Sequence, residues 1–193
     1  MGVVVAVGWV VAGCTGGDDP GPSPSVDEPV VPSPSESESP EPSPTETGPV
    51  KPERPATMDR DDAEGAAAAA EYFLELYPYV MATGDTAEWD AMTWADTCGF
   101  CSSVSEDARS ISQDGHTFAG GAVTAELEKS WPLDELIGGY PVDLNATMQE
   151  GQVIDAGGTV LREIDGFEGV MELGLLHDQT GWRVLAVSVK GES

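Results

Sequence analysis

Ala66-Ala67-Ala68-Ala69-Ala70-Glu71-Tyr72-Phe73-Leu74-Glu75-Leu76-Tyr77-Pro78-Tyr79-Val80 sets the fold class of this chain. A run of five alanines is a strong helix former. Ala69, Tyr72, Phe73, Leu76, Tyr77 and Val80 recur at steps of three and four, which gathers them on one broad apolar face. Just upstream, Asp61-Asp62-Ala63-Glu64 puts acids where the first turn of a helix favours negative charge. Pro78 predicts a kink or the end of the regular helix, and Thr83-Gly84-Asp85 stops it. Thr86 to Ala95 reads as a second short helix with Trp89, Met92 and Trp94 facing in. Cys98 to Gln113 reads as a third, ending near Gly115.

Beyond Gly115 the period changes from helical to two. Ala122 to Trp131 alternates as a strand, and Val142, Leu144, Ala146 and Met148 line one face of the next. Gln149 to Gln152 reads as its turn. Thr159 to Ile164, Gly169 to Leu176 and Trp182 to Val189 supply three more strands. Asp178-Gln179-Thr180-Gly181 is a hairpin signal between the last two. Gly120-Gly121 and Gly157-Gly158 read as bends or bulges of the sheet, since neither opens a helix. Helices followed by strands define an α+β domain, with the helices packed on one face of a curved antiparallel sheet.

The N-terminal part has a different character. Residues 2–13 are uncharged and rich in Gly, Val and Ala. A dozen such residues reach about 18 Å as a helix, short of a hydrocarbon core of about 30 Å. That length suits the apolar region of a secretory signal. It ends in Val11-Ala12-Gly13-Cys14, which resembles the bacterial lipobox. The resemblance implies cleavage before Cys14, a signal peptide over 1–13, and diacylglyceryl and palmitate-type lipid on the Cys14 thiol. More than one acyl chain makes anchoring stable. No Lys or Arg precedes Cys14, in departure from ordinary signal peptides. That departure places the start of translation upstream of Met1 or makes export from this start inefficient.

From Thr15 to Asp62 the chain is low in complexity, and twelve of its 15 prolines fall between Pro20 and Pro55. Such a segment buries too little apolar surface to offset its ordering entropy, so residues 14–62 read as a lipid anchor followed by a disordered acidic linker. Proline biases the linker toward extended polyproline II, and 48 residues at ~3.1 Å each would reach on the order of 150 Å. Its expected role is a spacer. The folded part then runs over 63–193.

The whole chain carries 35 acids against 8 Lys and Arg, a formal charge of −27. Twelve of the acids and three of the bases precede Ala63, which leaves 23 and 5 in the folded part, a net of −18. That charge excludes nucleic-acid binding through a basic surface and docking on anionic headgroups. Two His and three Cys leave little material for a soft-metal site, and no calcium-loop motif occurs.

Three pieces, in this order, carry a resemblance: Thr83-Gly84-Asp85, Cys98-Gly99-Phe100-Cys101 and Gly181-Trp182-Arg183-Val184. Together with the alanine-rich helix they resemble a family of actinobacterial lipoproteins with a domain of unknown function. The order of elements is similar to the nuclear-transport-factor-2-like cone, a curved sheet wrapped on helices. The resemblance spans roughly Ala63 to Lys190 and implies fold and location rather than chemistry.

Two constellations are candidates for chemistry. With Cys14 lipidated, Cys98 and Cys101 remain as an even pair in an oxidising compartment. They read as a disulfide staple between the second and third helices. A thiol–disulfide site is the alternative, since a thiolate at a helix start is activated. There Tyr140-Pro141 would mimic the proline that packs on such motifs, but no strand precedes Cys98 as the redox fold requires. The resemblance to the cone implies a pocket between sheet and helices, for which Tyr72, Tyr77, His116 and Tyr140 are candidate residues. His177, beside the hairpin turn, reads as exposed. No nucleophile elbow, phosphate loop or His-Glu-x-x-His occurs.

The leading reading is a lipid-anchored, extracytoplasmic and non-enzymatic domain with a binding or accessory role at the bacterial cell envelope. It is held at the membrane by lipid on Cys14, with no metal, cofactor or nucleic acid, and it faces an envelope protein or a small molecule. A small pocket enzyme or carrier and a thiol–disulfide redox protein are the alternatives.

Overall fold

The alanine run forms the central helix. In the computed structural model, which describes residues 49–136 and 138–191, α1 spans Ala63–Thr83. Asp62 caps it, its carboxylate accepting from the amides of Glu64 and Gly65 at 3.1 Å each. Those bonds satisfy amides that no helical carbonyl can reach. The helix continues through Pro78 to Thr83, where a kink or an end was expected. Tyr77, Val80 and Met81, on either side of the proline, are buried, and their packing holds the last turn in place.

Gly84 ends α1 in the left-handed region, with φ at 72°. Its amide donates to the carbonyl of Val80 at 2.9 Å. A Cβ there would lie 2.5 Å from the Cβ of Ser112, so the same glycine admits the third helix. Asp85 then accepts from the amide of Ala87 at 3.3 Å and from the hydroxyl of Tyr79 at 2.9 Å. Thr-Gly-Asp is thus a stop for one helix and a lead-in for the next.

α2 spans Ala87–Met92 and α3 spans Gly99–Gln113. α2 is shorter than expected, and Trp94, beyond its end, is exposed rather than inward-facing. Trp89 is fully buried, stacked on Phe73 of α1 with ring centroids 3.9 Å apart. Its indole N–H donates to the carbonyl of Cys101 at 2.9 Å, so one side chain ties all three helices together.

Among the described residues the β part holds seven strands in two antiparallel sheets. β1 (Thr117–Gly120), β4 (Gly151–Ile154) and β5 (Val160–Ile164) pair in the order β1-β4-β5. β2 (Val123–Ser130), β3 (Tyr140–Met148), β6 (Phe167–Asp178) and β7 (Gly181–Val189) pair in the order β2-β3-β6-β7. β1 and β4 were not expected as strands. The chain passes directly from β1 to β2, from β3 to β4 and from β5 to β6. Three neighbouring strands therefore turn from one sheet into the other along a single line, at Gly120-Gly121, Gln149-Glu150 and Asp165-Gly166. Gly121 donates to the carbonyl of Glu150 at 3.0 Å, and Gln149 donates to that of Ala122 at 2.9 Å across the bend. The stretch from Gln149 to Gln152, read as a turn, is this bend and the start of β4.

Period two is plain in β3, where Val142, Leu144 and Ala146 face the core opposite Leu173, Met171 and Gly169 of β6. The core joins these residues to the aromatic face of α1 and to Trp182 and Val184 of β7. It also takes in Met58, 2% exposed, from a short helical turn over Ala56–Asp59. The indole of Trp182 donates to the carbonyl of Met58 at 3.0 Å. The packed part thus begins before Ala63, which corrects the linker boundary expected at Asp62. A single buried methionine anchors what composition marks as linker. The expected signal peptide, Cys14 and the linker up to residue 48 lie outside the described residues.

Gly84→Ala should lower stability by about 1–3 kcal/mol, from the left-handed backbone and the contact with Ser112. Gly99→Ala should be neutral or stabilising by up to about 1 kcal/mol, since nothing lies within 4 Å of its Cβ position. Urea unfolding midpoints of the two variants check the contrast.

Candidate functional site

The two cysteines meet as expected from their spacing. Cys98 caps α3 and Cys101 lies in its first turn, with the Cα atoms 5.3 Å apart and the sulfurs bonded. Cys98 is 1% exposed and Cys101 is 0% exposed. The indole of Trp89 sits on the carbonyl of Cys101, and the ring of Phe100 lies 6.2 Å from that of Trp89. Thiol–disulfide exchange requires an attacking thiolate to reach a sulfur, and the packing here closes that approach. The pair staples the approach from α2 to the start of α3.

The four residues expected to share a pocket are held in separate environments. Tyr72 is buried against α2 and hydrogen-bonds with Glu88. Burial, followed by the adjacent carboxylate, pushes its hydroxyl well above the ordinary tyrosine range. Tyr77 packs edge-on to Phe118, with centroids 6.2 Å apart. Burial and then Asp107 raise its pKa, and Arg162 opposes them. Tyr140 lies edge-on to Trp182 at 5.5 Å and donates to the carbonyl of Asp61 at 2.7 Å. His116, half-buried at the entry to β1, donates its backbone amide to the carbonyl of Ile111 at 2.9 Å. The expected pocket constellation is therefore not assembled. Tyr72, Phe73, Leu76, Met81 and Trp89 fill the space between sheet and helices. His177 is half-buried rather than exposed, its ring 4.8 Å from that of Trp182.

A polar cluster that sequence reading missed joins residues 51–62 to the helices. Lys51 forms an ion pair with Glu88, which also receives the Tyr72 hydroxyl. The Lys51 ammonium also lies 6.0 Å from the ring centroid of Tyr79. Burial pushes the Glu88 carboxyl up, but Lys51 and Tyr72 together hold it below the usual range. Arg54 pairs with Asp59, and Arg60 pairs with Asp62 and Glu64. Asp62 is lowered to about 2, first by the Arg60 guanidinium and then by the amide of Gly65. A signal was present in the sequence: Lys51, Arg54 and Arg60 are the only bases before Ala63.

On the sheet face away from the helices, Asp143 is buried and accepts from Lys190 at 2.7 Å. Among the described residues, no group of His, Cys, Asp and Glu is arranged to hold a metal ion. No helix among them is long and apolar enough to cross a membrane.

This geometry defines an α+β domain in which three helices cover one face of paired antiparallel sheets. The chain belongs to the family of unknown function DUF6318, whose model matches residues 41–187. That match, too, reaches upstream of Ala63. Among solved structures the chain is similar to the intermembrane space region of the chloroplast protein ARC6, at 13% identity, covering 67% of this chain and 97% of that one with a TM-score of 0.44. It is also similar to Aln2 from a Streptomyces species, at 14% identity, covering 65% of this chain and 88% of that one with a TM-score of 0.37. No curated protein matches.

Glu88 has a folded pKa below its unfolded value of about 4.3, so the unfolded chain binds the extra proton on acidification. The stabilisation is complete above that pH and is lost as pH falls through the folded value. Glu88→Gln should therefore lower the urea midpoint clearly at pH 7 and by much less at pH 3. The disulfide should resist reductant under native conditions and react with alkylating agent only in urea. Its loss should cost about 2 kcal/mol, the entropy of a very short loop.

Proposed function

We propose that this chain is a lipid-anchored, extracytoplasmic binding or accessory module of the bacterial cell envelope. The observation that supports it most is Val11-Ala12-Gly13-Cys14 followed by a long proline-rich acidic stretch. An acylated cysteine holds the protein at the membrane, and the stretch carries the folded part away from it. A disulfide between Cys98 and Cys101 fits an oxidising compartment.

Binding rather than catalysis is favoured by the filling of the interior. The aromatic side chains of α1 and α2 occupy the volume in which a pocket enzyme would hold its substrate, and the tyrosines have separate partners. The bend shared by three strands, with helices on one face, supports reading the fold as a nuclear-transport-factor-2-like cone. The lipobox-like Val11-Ala12-Gly13-Cys14 supports the relation to actinobacterial lipoproteins.

Expression of the full chain in an actinobacterial host tests the anchor. The protein should partition with membranes, and mass spectrometry should find a diacylglyceryl-modified peptide beginning at Cys14. Cys14→Ser should move it to the soluble fraction. Membrane association that persists in Cys14→Ser would overturn the anchor.

A further inference from the structure

The protein treats its sheet edges unequally. On β7 the outer edge is closed, because the amide of Trp94 donates to the carbonyl of Val184 at 3.0 Å and the Thr97 hydroxyl donates to that of Leu185 at 2.6 Å. On β2 the amide of Leu127 donates to the Glu71 carboxylate at 2.8 Å. The edge formed by β5 and the start of β6 has no such cover among the described residues. β5 pairs only with β4, and β7 follows β6 only as far as the bond from the Lys190 amide to the Val170 carbonyl, 2.9 Å. Residues 160–169 thus present one side of their backbone to no strand among the described residues. At about 3.3 Å per residue that edge follows roughly 30 Å of chain, in two arms that meet at the bend of Asp165-Gly166. Val160 and Leu161 at its start are 44% and 51% exposed.

Charge selects what this edge can take. Glu163, Asp165 and Glu168 lie along it, and Glu150, on the paired side between β3 and β4, lines two adjoining surface concavities with them. Among the described residues none of these four carboxylates meets a Lys or Arg. Arg162, the one cation on the strand, is engaged by Asp107 of α3 at 3.0 Å. A second copy is a poor occupant. Antiparallel pairing of two identical strands about a two-fold axis puts residues of like parity opposite one another. The registers that pair most of β5 set Arg162 against itself or Glu163 against itself, and like charges directly opposite are unfavourable. The chain's own linker is excluded on the same ground, since residues 15–48 are acidic, rich in proline and without Lys or Arg.

We infer that the edge over residues 160–169 is a docking site for an extended segment of another protein with Lys or Arg at alternate positions, added as a further strand. Main-chain bonds supply affinity in this mode and side-chain positions supply selectivity. The basic side chains would reach Glu150, Glu163, Asp165 and Glu168, and apolar residues would cover Val160 and Leu161. The inference deepens the binding reading by naming a surface and a partner chemistry, but it stands on the folded residues alone.

The probe is a blocked eight-residue peptide alternating lysine and valine, mixed with the full chain and followed by amide hydrogen exchange and by fluorescence anisotropy. The expected result is at least fivefold slower exchange confined to residues 160–169, with binding that weakens as salt rises. The same peptide N-methylated at every residue keeps its charge but loses all its backbone donors, and it should not protect these amides. Glu163→Lys together with Asp165→Lys should raise Kd at least tenfold, and the milder Glu163→Gln should raise it severalfold. Absence of binding, protection elsewhere, or equal binding of the N-methylated peptide would overturn the inference. None of these results bears on the lipid at Cys14, which is read separately.

Discussion

The burial of α1 is the constraint on which the other elements depend. Twelve of its residues, from Gly65 to Met81, are buried, and they spread over most of its circumference. A helix so widely apolar cannot lie on the surface of a single sheet. It needs a second cover, which α2 and α3 provide from the other side. Trp89 stacks on Phe73 and reaches Cys101 through its indole, so the cover is fastened by a ring contact and a hydrogen bond together. The disulfide then fixes the start of α3 where that hydrogen bond needs it. The polar residues of α1 are used at its margins, as when Glu71 caps the Leu127 amide at the edge of β2.

The same burial explains why the space between helices and sheet holds no site built from the expected residues. A tyrosine on an apolar helix face is most stably placed as core with one partner for its hydroxyl. Tyr72 finds Glu88 and Tyr140 finds the Asp61 carbonyl. The groups that look like chemistry in the sequence are therefore consumed by structure. Features with unsatisfied capacity lie on the outside instead. There, among the described residues, one backbone side of residues 160–169 meets no strand, and the carboxylates of Glu150, Glu163, Asp165 and Glu168 nearby meet no Lys or Arg.

The end of the linker shows how composition and structure diverge. Residues 49–62 share the prolines and acids of what precedes them, yet Met58 enters the core and Lys51, Arg54 and Arg60 each meet an acid. Low mean hydropathy measures an average, and one methionine can be decisive without moving it. Surface ion pairs contribute little singly. Here Glu88 is also bonded to a buried tyrosine, and so Lys51 is tied to the core and not merely to the surface.

The sequence by itself determined the elements whose signals are local. The three helices follow from periodicity, from Thr83-Gly84-Asp85 and from the cysteine spacing, and β2, β3, β5, β6 and β7 follow from strand patterning and the hairpin turn. Each of these needs only neighbours along the chain. The low-complexity stretch before Ala63 and the lipobox-like cysteine are likewise local signals of the sequence. Tertiary structure decided the rest. β1 and β4 have only four residues each, too few for a period, and exist because the bend at Gly120-Gly121 and Gln149-Glu150 continues their neighbours. The partners of Tyr72, Tyr77, Tyr140 and His116 also depended on which elements meet in space. Pairing brings together residues that are distant in the chain, such as Trp182 and Met58 or Glu71 and Leu127. No spacing rule carries that information, because the contact is chosen by the packing of whole faces rather than by the residues that make it.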